Sequence, residues 1–141
     1  MKKVRHVVWL LPLALILLSS ASVPASAKTS KVDRGEIERL LRTIEKAISK
    51  HDTGAVLAVY DPADPALVSR TKSTVAGWFA LDGLAVSYRL GALTGGTEMA
   101  EGVIFRSVAY REHDRRQLEQ RWETVRLRRV ALGWKILSES V

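Results

Sequence analysis

The sequence predicts an α+β domain in which three N-terminal helices pack on an antiparallel sheet of about four strands. Two observations carry this. Apolar residues recur at helical spacing up to Asp82-Gly83, and beyond Gly83 they alternate at strand spacing between turn signals. Runs of helices followed by runs of strands pack as segregated layers rather than as a parallel sheet.

The first helix is expected over about Asp33 to Lys50. Ile37, Leu40, Leu41, Ile44, Ala47 and Ile48 fall on one face, with Glu38, Arg39, Arg42, Glu45 and Lys46 on the other. Asp33 is placed to cap it, Glu36 stands where a capping box needs an acid, and Val32 and Ile37 occupy the staple positions. Asp52 opens a short second helix carrying Val56, Leu57, Val59 and Tyr60, which Asp61-Pro62 ends. Asp64 and Pro65 supply the cap and first position of a third helix with Leu67, Val68, Val75, Trp78 and Phe79 as its apolar positions.

The first strand runs from Leu84 to about Ala92, and Gly95-Gly96 signals a hairpin turn. A second strand follows over about Met99–Tyr110, then a polar loop from Glu112 to Arg116. A third strand spans about Leu118–Ala131, and Leu132-Gly133 turns the chain into a last strand, Trp134–Ser138. Val103 and Phe105 oppose Ile104, Val108 and Tyr110, while Trp122 and Val130 oppose Val125 and Leu127. A sheet with one wet face alternates more cleanly. Either bulges switch the register or the second face is also covered, and the reading adopted is coverage by a second copy of the chain.

The chain has 141 residues, 22 basic against 15 acidic, a net charge of +7 and no cysteine. This excludes disulfides, thiolate metal sites and cysteine nucleophiles. Much of the charge belongs to an N-terminal segment. Lys2, Lys3 and Arg5 precede an apolar run from Val7 to Leu18, and Ala25-Ser26-Ala27 has the form signal peptidase accepts. At a helical rise of about 1.5 Å per residue the apolar run spans roughly 18 Å, short of a bilayer core of about 30 Å. Residues 1–27 are therefore expected to be a cleaved secretory signal and residues 28–141 the domain, secreted or periplasmic, with no membrane span left after cleavage. Losing three basic residues and no acid takes the charge from +7 to +4.

The ending of the first helix, EKAISKHD, the following AVLAVYDP and the closing TVRLRRVALGWKIL together resemble the nuclear transport factor 2-like superfamily, which includes the SnoaL-like and ketosteroid isomerase-like domains. The resemblance covers essentially the whole of residues 28–141. It implies a cone-shaped, cystatin-like architecture whose helices and curved sheet enclose a pocket, often in a dimer. It does not settle function, since the superfamily holds isomerases, dehydratases, cyclases and non-catalytic members. Ketosteroid isomerases use an aspartate base with a tyrosine and a protonated acid as oxyanion donors. Eight residues before Asp52, where their tyrosine stands, this chain has Ile44, and Asp64 before Pro65 reads as a cap. The isomerase apparatus does not transfer.

His51-Asp52 reads as a helix end rather than an acid–base pair, and His113-Asp114 as a solvated loop tip with no third ligand nearby for a metal. Arg115, Arg116, Arg121, Arg126, Arg128 and Arg129 concentrate positive charge around the third strand, interleaved with Glu119 and Glu123. A solvated, aggregation-resistant sheet edge explains that pattern better than an anion site, and nucleic acid is not an expected partner. No cofactor or metal is expected. Tyr60, Trp78, Tyr88 and Trp122 are the expected ligand-binding lining, because each joins an apolar face to a hydrogen-bonding group. The resulting expectation is a non-catalytic exported domain that binds a small apolar or amphipathic molecule, or a protein partner. The alternative is a small isomerase, cyclase or dehydratase working through an acid–base pair in the same pocket.

Overall fold

The computed structural model describes residues 31–140; the signal segment expected at 1–27 lies outside the described residues. Helices α1 (Arg34–Ser49), α2 (Thr53–Leu57) and α3 (Pro65–Phe79) precede strands β1 (Asp82–Gly95), β2 (Met99–Glu112), β3 (Arg115–Val130) and β4 (Gly133–Ser140). The strands form one antiparallel meander in the order β1-β2-β3-β4. No helix among the described residues is long and apolar enough to cross a membrane.

Each helix starts where side-chain chemistry satisfies free backbone N–H groups. Asp33 accepts from Gly35 N, Asp52 from Ala55 N and Asp64 from Leu67 N. Glu36 does not complete a capping box. Its carboxylate receives both Arg129 guanidinium nitrogens, at 2.8 and 3.0 Å, and Trp134 Nε1 at 2.8 Å, which ties the start of α1 to the β3–β4 hairpin. These donors hold its pKa below the ordinary range, Trp134 first and Arg129 next. At the other end of α1, His51 takes a positive φ of 55°. His51 N donates to Ile48 O and Asp52 N to Ala47 O, the two bonds of a Schellman cap. The imidazole packs on Phe79 at 4.7 Å between ring centroids. His51-Asp52 is thus a helix junction.

Ile37, Leu41, Ile44, Ala47 and Ile48 of α1 are buried against the sheet, where Leu90, Ala100, Ile104, Val125, Leu127 and Ile136 form the opposing layer. Ile44, eight residues before Asp52, is a core side chain 1% exposed. After α2 the chain makes a short parallel bridge from Tyr60 to Ile136, with Asp61 N donating to Ile136 O. Buried Asp61 pairs with Arg128 and, through Oδ1, accepts from Ala63 N.

Two strand expectations change. The polar loop expected over Glu112–Arg116 contracts to a two-residue turn, His113-Asp114, with φ of 48° and 61°. That is the geometry of the tight hairpin turn matching strand twist, so the flanking charged residues continue the ladder. The β2–β3 register is unbroken from Met99↔Arg128 to Glu112↔Arg115, so no bulge moves Trp122 inward. Register shifts occur instead between Asp82 and Ala85 and between Leu90 and Leu93 of β1, and at Arg126/Leu127 of β3. Ile104, Val108, Val125 and Leu127 therefore face the helices, while Phe105 and Trp122 share the outer face with ring centroids 5.0 Å apart.

Candidate functional site

α3 presents one stripe to the interior, Leu67, Thr71 and Val75, with partly buried Trp78 continuing it. It meets the sheet sparsely, at β1, because the facing sheet positions are not all apolar. Arg106 of β2 and Glu123 of β3 occupy the same inward rows as Ile104 and Val125. Bulky charged groups at these positions hold the layers apart, and a cavity of about 180 Å³ opens there.

The cavity has an apolar wall of Val56, Leu67, Val75 and the Trp78 ring, and a polar wall of Tyr60, Tyr88, Arg106, Glu123 and Glu139. Arg70, Thr74 and Arg121, all exposed, stand at its rim. Arg106 Nη2 lies 2.8 Å from Glu123 Oε1, and Arg121 Nε reaches the same oxygen at 2.8 Å. Glu123 Oε2 is buried with no hydrogen-bond partner among the described residues. Tyr60 Oη donates to Glu139 Oε1 at 2.7 Å. The Arg106 guanidinium also sits 5.0 Å from the centroid of the Trp78 ring, a cation–π contact.

Burial governs the protonation of this cluster. It raises Tyr60, with the Glu139 charge adding to the effect, and raises Tyr88 against the opposing Arg106 charge. Both hydroxyls stay protonated, and that of Tyr60 donates to Glu139. Burial also raises Glu123, opposed by Arg106, and raises Glu139, opposed by the Tyr60 hydrogen bond. A carboxyl group with a raised folded pKa binds its proton more tightly when folded. Its contribution is most favourable at low pH and is lost as pH rises from the ordinary 4.5 through the folded value. Glu139→Gln should remove that loss. Denaturant midpoints from about pH 4 to about pH 8 should show the variant gaining on the wild type across this window and then running parallel.

Of the four aromatic residues expected as lining, Tyr60, Trp78 and Tyr88 border the cavity. It does not bring Trp122 there. Trp122 is half exposed on the opposite face of the sheet, since its residue parity in β3 is opposite to that of Glu123 and Val125. The charged lining, Arg106, Glu123 and Glu139, went unnoticed in the sequence, where Glu123 reads as a surface acid diluting the arginines. A usable signal exists for Arg106, which interrupts the apolar every-other-residue row Ile104-x-Arg106-x-Val108, whereas Glu123 only precedes the row Val125-x-Leu127. Half of the arginine cluster is internally paired, Arg121 with Glu123, Arg128 with Asp61 and Arg129 with Glu36. No group of three or more metal-ligating side chains occurs among the described residues.

No family model matches the chain. No curated protein matches it either. Solved structures do. An NTF2-like protein with a cystatin-like fold from Novosphingobium aromaticivorans superposes with a TM-score of 0.58 at 18% identity, covering 76% of this chain and 79% of that one. A ketosteroid isomerase-like protein from Erwinia carotovora atroseptica gives 0.55 at 17% identity, over 74% and 91%. An NTF-2 like protein of unknown function from Shewanella oneidensis gives 0.62 at 13% identity, over 74% and 94%. Three helices on a four-stranded antiparallel meander, superposing on these proteins across most of their length, are the nuclear transport factor 2-like, cystatin-like fold.

Proposed function

We propose that the protein is an exported, non-catalytic domain that holds a small amphipathic molecule in the cavity between α3 and the sheet. The observation that carries the reading is the division of the cavity wall into an apolar half and a charged half. Pockets of this kind take an apolar body and fix its orientation through a few polar groups. A cavity of about 150 Å³ holds a benzene ring, so about 180 Å³ suits a molecule built on one small ring or a short branched chain. The residue pattern of positions 1–27 supports export.

A second reading is a small isomerase, cyclase or dehydratase. It is favoured by two carboxylates with raised pKa values converging on one cavity beside a tyrosine donor. Against it, Glu123 is engaged by Arg106 and Arg121, and the Tyr60 hydroxyl is already committed to Glu139. Self-association through the outer sheet face accompanies the proposal. Trp122 and Leu118 are 51% and 57% exposed there, beside Phe105.

Native mass spectrometry of the purified protein tests both parts in one measurement. A retained small molecule and a dimer mass are expected. A ligand-free monomer would count against the pocket reading and the dimer together. Conversion of the retained molecule on incubation would favour the enzyme.

A further inference from the structure

The polar wall of the cavity narrows the chemistry of its occupant, an inference that rests on the pocket reading above. Two carboxylates, Glu123 and Glu139, and three guanidinium groups, Arg70, Arg106 and Arg121, line one small space. Glu123 Oε2 is a buried acceptor without a donor. A cationic head would meet three arginines, and the Trp78 ring that would otherwise receive it already carries the Arg106 guanidinium. An anionic head would meet two carboxylates in a place where burial already disfavours their charge. A bare hydrocarbon would leave the charged wall without hydrogen bonds in place of water, which is costly.

We infer that the pocket selects molecules whose buried end is a neutral group that both donates and accepts hydrogen bonds, an alcohol or a primary carboxamide, carried on a small apolar body. Such a head donates to a carboxylate and accepts from a guanidinium or a tyrosine hydroxyl at the same time, which neither an ammonium nor a carboxylate does. Glu139 is the carboxylate best placed for it. Glu139 is only partly buried, whereas Glu123 Oε2 is closed to solvent. The apolar body lies along Val56, Leu67 and Val75.

Four probes share one ring and differ in the head: toluene, benzyl alcohol, benzylamine and benzoate. Each is titrated into isotopically labelled protein, following the backbone resonances of Thr71, Val75 and Trp78. Benzyl alcohol should bind about tenfold or more tightly than the other three, the ratio that one hydrogen bond to a charged group sustains. In Glu139→Gln, which keeps an acceptor for Tyr60, the alcohol should weaken and benzoate should gain, because the arginines lose a counter-charge. Benzyl alcohol binding no better than toluene, or more weakly than either ion, would overturn this inference while leaving the pocket in place. Affinities for benzyl alcohol and benzoate that are unchanged in Glu139→Gln would overturn it as well. Absence of any shift with all four probes would overturn the pocket reading itself.

Discussion

Replacing Arg106 with methionine should destabilise the domain by about 3–5 kcal/mol, a large part of the 5–15 kcal/mol typical of a single domain. The side chains of Arg106 and Glu123 are only 8% and 3% exposed, and removing the guanidinium strands a carboxylate inside the protein. The loss should fall toward the lower end, because half-exposed Arg121 still reaches Glu123 Oε1. The cation–π contact with Trp78 disappears as well. Two controls isolate the cause. Arg106→Met combined with Glu123→Met should recover most of the stability, since two apolar side chains leave no charge to solvate. The single variant should also lose less at acidic pH. Glu123 is already raised by burial, and without Arg106 it takes up its proton at a still higher pH, which relieves the stranded charge. Urea denaturation of the single and double variants at two pH values checks this; a double variant as unstable as the single would refute the ion-pair account.

Gly95→Ala should have the second largest effect, and Gly133→Ala supplies its control. Both glycines close hairpins at positive φ, 127° and 115°, a region that L side chains rarely enter, at a cost of about 1–3 kcal/mol. They differ in the space available. A Cβ at Gly133 would meet nothing within 4 Å, whereas one at Gly95 would lie 2.6 Å from Ala100 Cα and closer still to Met99 O, both backbone atoms. The turn must then open, and Gly95 also accepts from Val32 N at the entry to α1. Gly133→Ala should therefore show the backbone cost alone, and Gly95→Ala should exceed it by a further kcal/mol or more, as expected for overpacking. Thermal unfolding of the two variants side by side decides the matter; equal losses would mean that the β1–β2 turn yields freely.

Much of the fold is legible from local rules. Each helix begins at the aspartate that caps it, and α1 shows its buried face as a clean helical stripe, because caps and stripes are properties of neighbouring residues. The tight turn at His113-Asp114 was missed for a local reason too. Histidine and aspartate tolerate positive φ better than most residues but much less than glycine, and with no glycine at the turn the charged stretch reads as a loop. The site was less legible. Aromatic chemistry selects Tyr60, Trp78, Tyr88 and Trp122 alike, yet only the first three border the cavity, because chemistry alone does not say on which face of a strand a side chain emerges.

The sequence by itself determined the order and kind of the elements, the signature of an export signal, the capping chemistry and the absence of thiol chemistry. Only the tertiary structure decided which charged residues are interior. The interior place of Arg106 and Glu123 follows from the β2–β3 register, which pairs Arg106 with Arg121 and Ile104 with Glu123 and turns one row of both strands toward the helices. Register is a long-range property set by how whole strands bury their apolar rows, and a shift of one residue would exchange the two faces. That register places the Arg106–Glu123 pair on the cavity, beside Tyr60, Tyr88 and Glu139, and leaves Trp122 outside.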